Sequence, residues 1–123
     1  MKPPAPETCQ SGTAERRTDM ARLIVMYRTP EDVAAFDRHY SGTHIGLASK
    51  MPGLRSYEIS HGPVMTPDGA SSYHLVAMLR FDEIASLKAA LASPEGQAAV
   101  EDVGRFATGG VDIYMFDDRV AGG

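Results

Sequence analysis

The chain has a single cysteine, Cys9, so no internal disulfide can form, and no CxxC pair offers a zinc site. It has no apolar run approaching the roughly 18 residues that span a bilayer. It has no basic excess: the formal net charge is -4 and the charges are scattered. That argues against nucleic acid as a partner, since a phosphate backbone needs a positive surface. Missing as well are a glycine-rich phosphate loop after a strand, a GxSxG elbow and an HExxH pair. What remains is 123 residues, 43% hydrophobic and 23% charged, enough for one domain with one ordinary core.

The first nineteen residues, MKPPAPETCQSGTAERRTD, hold three prolines and almost no large apolar side chain. They lack the apolar core of a secretory signal. They predict a disordered tail over 1–19, with Cys9 an incidental exposed thiol and Met20 as the working start of a domain over 20–118. A flexible end follows at 119–123. A cytoplasmic location is the default expectation.

The ordered part begins at ARLIVMY, residues 21–27, a β-branched apolar run of strand length. TPED then predicts a helix start, with Thr29 as N-cap and Pro30 at the first helical position. Val33, Phe36, Tyr40, His44 and Leu47 recur at three- and four-residue steps and share one face. Gly42 and Gly46 weaken that helix, and Pro52-Gly53 closes the segment. Residues 54–62 alternate as a half-buried strand, 62–72 form a loop, and YHLVAMLRF, 73–81, is a third strand. Asp82 is the expected cap of a helix carrying Ile84, Leu87 and Leu91. Ser93-Pro94-Glu95 opens another, with Ala99, Val103 and Phe106 on one side. VDIYMF, 111–116, is the last strand.

The order β-α-β-β-α-α-β, joined by right-handed crossovers, predicts an α+β, ferredoxin-like sheet of four strands with helices on one face. Such a sheet should be polar on its open face. Here both faces are apolar. In the third strand, Leu75, Ala77, Leu79 and Phe81 oppose His74, Val76 and Met78; in the first, Leu23, Val25 and Tyr27 oppose Ile24 and Met26. A monomer rarely leaves so large an apolar patch in water, so the pattern predicts a homodimer packed sheet to sheet.

The stretches FDRHYSGTHIGLASKMPGLRSYEISHGPV and YHLVAMLRFDEIASLKAALASPEGQAAVEDVGRFATGG resemble the EthD family of the dimeric α/β-barrel superfamily. The resemblance covers roughly residues 22–117. It departs in one place: the family's His-x-Pro-Leu reads His44-Ile45-Gly46-Leu47 here. It implies two four-stranded sheets closing an eight-stranded barrel, but no settled reaction. The family name comes from a gene cluster for degrading ethyl tert-butyl ether, in an accessory role. Superfamily relatives include cofactor-free monooxygenases, isomerases, polyketide cyclases and haem enzymes, and a fold shared so widely does not select a function.

Tyr40 and His44, four apart, stack on the helix face that should meet the sheet. By analogy with superfamily pockets, His74, Val76 and Met78, with Ile24 and Met26, are placed under the helices. His44 and His74 would then approach one cavity as catalytic groups, with Tyr40 and Tyr114 holding a substrate oxygen. Phe36 would add to the lining and Arg22 would stand at the mouth. Near-neutral imidazoles suit proton movement at carbon or oxygen. His39 stands about 140° round a regular helix from His44, so the two do not chelate one metal, and no metal or other cofactor is expected. His61 reads as a surface residue. Two functions fit. One is a cofactor-independent enzyme moving a proton on, or oxygenating, a small apolar or aromatic oxygenated compound. The other is a non-catalytic binder of such a compound, accessory to a pathway.

Overall fold

The computed structural model describes residues 20–119 and Ala121; the tail expected over 1–19, with Cys9, and most of the expected flexible end lie outside them. Strand β1 is Ala21–Arg28. Helix α1, Val33–His39, runs through one wide π turn, Tyr40–His44, into the short α2, Ile45–Ala48. Strand β2 is Ser56–Ile59. A small hairpin, β3 Met65–Thr66 and β4 Gly69–Ala70, stands where a plain loop is expected. Then come β5 Tyr73–Phe81, α3 Ile84–Ala92, α4 Pro94–Phe106 and β6 Val111–Asp117. Four strands form one sheet in the order β2-β5-β1-β6, every neighbour antiparallel. This is the ferredoxin-like α+β arrangement. No helix among the described residues is long and apolar enough to cross a membrane.

The caps show how local chemistry sets the helix starts. Asp32, not Thr29, caps α1: its carboxylate accepts from Ala35 N–H at 3.0 Å. The Thr29 hydroxyl is spent on the Ser72 carbonyl instead, at 3.2 Å. Asp82 caps nothing, because Arg55 holds both its oxygens at 2.8 and 3.0 Å. Ser93 does cap α4, accepting from Gly96 N–H. Gly96 is required there: a Cβ would lie 2.0 Å from the Ala90 carbonyl oxygen at the α3–α4 junction. Gly96→Ala should cost about 3 kcal/mol of stability, read as a lowered urea midpoint with an unchanged slope.

The helices cover Ala21, Leu23, Val25 and Tyr27 of β1 and Ala77, Leu79 and Phe81 of β5, which pack on Phe36, Tyr40, Ala48, Leu87, Ala90 and Phe106. The expected placement of the other set is therefore reversed. Ile24 lies between Met78 and Tyr114, Met26 between Val76 and Asp112, and Arg22 between Arg80 and Phe116, all on the helix-free face. Alternation sorts side chains into two sets. With both sets apolar, it carries no mark of which one the helices take.

Candidate functional site

The π turn builds the site. In it the Ile45 N–H reaches back to the Tyr40 carbonyl, one residue further than in an α-helix. The wider turn changes the phase of everything beyond it: Tyr40, His44 and Ala48 are buried, while Leu47 is only half-buried. It also draws His39 and His44 toward one another, so the angle of a regular helix does not apply.

Between them lies the carboxylate of Asp102, from α4, fully buried. His44 Nδ1 is 3.0 Å from Asp102 Oδ2. His39 Nε2 is 2.8 Å from Oδ1 and 3.0 Å from Oδ2. A carboxylate only accepts, so each ring nitrogen donates, and His44 is held as the Nδ1–H tautomer with Nε2 unprotonated. Nε2 faces the Tyr27 hydroxyl at 3.4 Å. Phe106 packs on both imidazoles, with ring centroids 5.0 Å from His39 and 4.9 Å from His44.

Burial pushes the His44 imidazole below its ordinary 6.5, against the pull of the Asp102 carboxylate toward the charged form. Burial would raise the Asp102 carboxyl, but hydrogen bonds from His39 and His44 outweigh it and hold the group below its ordinary range. It is thus a carboxylate at neutral pH. Burial also raises the hydroxyls of Tyr27, Tyr40 and Tyr57, which keeps them protonated. Tyr40 and Tyr57 share a hydrogen bond at 2.6 Å.

His44 lines a cavity of about 120 Å³ between the sheet and the helices, with Tyr27, Tyr57, Leu23, Val25, Ala77 and Ala99 among its walls. Apart from one imidazole, two phenol hydroxyls and the Met51 thioether the side-chain lining is aliphatic, and among the described residues that line it there is no Asp, Glu, Lys or Arg. Val100 and Ile113, each about half exposed, stand at its mouth. Tyr40 lies behind Tyr57 rather than in the wall, and Phe36 packs beside it against Tyr27, Tyr40 and Phe106.

His74 is elsewhere. The pairing of β1 with β5 shifts register opposite Tyr73 and Leu75. His74 there meets Asp37 of α1, Nε2 to Oδ1 2.8 Å, and packs edge-on against Phe36. It lines a separate groove of about 530 Å³ with His61, Ser60 and Tyr73. The expectation that His44 and His74 share a cavity is corrected: the irregularity carries His74 to α1, beside Asp37 and Phe36, in a separate groove. Ile24, Met26, Val76, Met78, Tyr114 and Arg22 are placed away from His44 by the choice of face. Arg22 pairs with Asp118. Asp102 and the role of His39 were missed by sequence reasoning. One signal was available: an aspartate three residues after Ala99 and four before Phe106, on the stripe that faces the core. Among the described residues no group of three or more His, Cys, Asp or Glu side chains is arranged to hold a metal ion.

Comparison with known proteins places the chain in a family. The chain is 38% identical over 100 residues to an uncharacterized 11.0 kDa protein from the thcB-thcC intergenic region of Rhodococcus erythropolis, covering 81% of this chain and 96% of that one. A crystal structure of an ethyl tert-butyl ether d (EthD) family protein from Bacillus halodurans superposes with a TM-score of 0.73 at 35% identity, over 79% of this chain and 96% of the other. Two more distant structures share the fold. The hydroxynitrile lyase of Passiflora edulis has a TM-score of 0.67 at 12% identity, over 86% and 99% of the chains. SnoaB, a cofactor-independent oxygenase from Streptomyces nogalater, has a TM-score of 0.57 at 13% identity, over 85% and 96%. The profile described as EthD domain matches residues 28–110, and the chain belongs to the EthD family.

Proposed function

We propose that the protein is a cofactor-independent enzyme that moves a proton on a small, neutral, largely apolar molecule bearing one oxygen function, with His44 as the base. The observation that carries this reading is His44 in the wall of an otherwise apolar cavity, held from behind by the buried Asp102 carboxylate. His44 Nε2 takes the proton from carbon next to a carbonyl, or from a hydroxyl. The electron pair left behind moves onto the carbonyl oxygen in the first case and stays on the hydroxyl oxygen in the second, and there the Tyr57 or Tyr27 hydroxyl donates a hydrogen bond. Asp102 stabilises the imidazolium that forms. Returning the proton to another carbon isomerises the substrate; cleaving a neighbouring bond makes it a lyase. The same anion, from a phenol or enol, is the species with which oxygenation begins. The cavity is small for a drug-sized ligand but comparable to apolar cavities that take a single aromatic ring. With no charge in its side-chain lining, it disfavours ionic substrates.

The protein works as a homodimer in this reading. Ile24, Met26, Val76, Met78, Tyr114 and Phe116 form an apolar band on the helix-free face, with Tyr114 58% and Phe116 45% exposed, and a second copy is the partner whose surface repeats it. His74, by contrast, has a structural role beside Asp37.

The test is a panel of small neutral ketones, hydroxynitriles and phenols incubated with the protein in D₂O and followed by NMR. Protein-dependent deuterium incorporation or product formation is expected. Val100→Trp, at the mouth, should raise KM about tenfold or more by closing the entrance, with the fold unchanged. Binding of panel members with no exchange and no product in the wild type would instead make the protein an accessory carrier.

A further inference from the structure

Asp102 has two imidazole partners, and only His44 reaches the cavity. The other, His39, lies on the outer side of α4, its side chain 31% exposed against 5% for His44. It lines an outer groove with Glu31, Asp32, Arg105 and Thr108. Phe106 packs on both rings, and the Asp102 carboxylate, bonded to both, is the polar connection between groove and cavity.

We infer that His39 is a positioning residue that sets the charge of the base: it carries the proton that the buried carboxylate attracts, so that His44 stays neutral with Nε2 free. The inference rests on the reading of His44 as the base. Two imidazoles that share one carboxylate titrate as a unit rather than singly. Placing the positive charge on His44 would bury it beneath the helices, beside largely apolar walls. Placing it on His39 leaves it at the surface, where solvent screens it.

The surrounding groups act in both directions. From the segment before α1, Glu31 and Asp32 line the groove and favour a cation at His39. From α4, Arg105 opposes one; its Nη1 is 3.7 Å from Asp102 Oδ1, and it is the more exposed partner. Among the described residues, β1, β2 and the π turn contribute the neutral hydroxyls of Tyr27, Tyr57 and Tyr40. Once charged, His39 disfavours a second charge on His44, in the same sense as burial does. The π turn makes the arrangement possible, because it brings residues 39 and 44 to the same carboxylate.

The experiment is a pH titration of the imidazole ¹⁵N signals of the protein alone, in wild type, His39→Gln and His39→Phe. Glutamine keeps a donor for Asp102 but binds no proton. Phenylalanine keeps the packing on Phe106 and has no donor. In the wild type the first proton should appear on His39 while His44 holds its Nδ1–H form. In both variants the His44 midpoint should rise by about one pH unit, since His44 becomes the only imidazole at the carboxylate. An unchanged midpoint in both variants, or first protonation at His44 in the wild type, overturns the inference. If one variant fails to fold, the other variant and the wild-type order still decide it. No substrate enters the measurement, so a protein that titrates as stated but turns nothing over refutes the base and not the coupling.

Discussion

His44→Ala is expected to lower turnover by about 10²–10⁴ while the protein stays folded, and Asp102→Asn to lose a similar share. The alanine variant removes the only basic nitrogen in the cavity wall. It leaves Asp102 with His39, so the buried carboxylate keeps a partner and no uncompensated charge results. The void it opens adjoins a cavity already present, so the stability loss should stay near 1–3 kcal/mol. Asparagine at 102 works differently. The carboxylate accepts from both histidines, whereas an amide presents one acceptor and one donor. A donor turned toward His44 Nδ1 requires the other tautomer, in which Nε2 carries the proton and can no longer act as base. The rate should also have an acid limb below pH 6.5. Burial depresses the His44 value, so the neutral base is fully present above 6.5 and is lost as pH falls through the lower folded value. Steady-state kinetics at several pH values, with near-ultraviolet circular dichroism as the check on folding, read both effects. Full activity in His44→Ala on a substrate the wild type converts would sink the assignment.

Much of the architecture was legible because its signals are local. The third predicted strand, 73–81, coincides with β5, Tyr73–Phe81, since a long apolar run between turn residues has one reading. Ser93-Pro94 marked the start of α4 for the same reason. The site was less legible, and each failure has its own cause. The helix was read with a constant period, yet five residues of it, Tyr40–His44, take a wider turn, and no propensity distinguishes SGT as a π turn. That one irregularity makes His39, still partly exposed, a second partner of the buried carboxylate. An acidic residue in a helix is ordinarily solvated, so the place of Asp102 on the core-facing stripe does not by itself mark it as buried. Its burial depends on two histidines 58 and 63 positions away, a long-range fact that spacing does not record. The face of the sheet was undecidable from alternation, because Ile24 and Met26 are as apolar as Leu23 and Val25. The same ambiguity is what pointed to a second copy of the chain.

Ile24→Lys is expected to convert the proposed homodimer to a monomer. Ile24 sits in β1, flanked by Met78 of β5 and Tyr114 of β6, near the centre of the helix-free face. In a single copy a lysine there can extend its ammonium past its neighbours into water. Against a second sheet it has no such exit, and no acidic partner stands directly beside it: its cross-strand neighbours are a methionine and a tyrosine. Desolvating an unpaired ammonium costs several kcal/mol, and about 4 kcal/mol is a factor of about 10³ in Kd. Sedimentation equilibrium at micromolar protein should therefore give roughly half the wild-type mass, with the far-ultraviolet spectrum retained. Val33→Lys supplies the contrast, since Val33 is 41% exposed on the first turn of α1, away from the sheet, and should leave the mass unchanged. A folded Ile24→Lys protein that sediments at the wild-type dimer mass would mean the copies meet through another surface. The apolar band of β1, β5 and β6 would then need a different cover. A wild type that sediments as a monomer at the same concentration would remove the dimer altogether, but would leave the His44–Asp102 pair intact, because both residues and the walls of their cavity come from one chain.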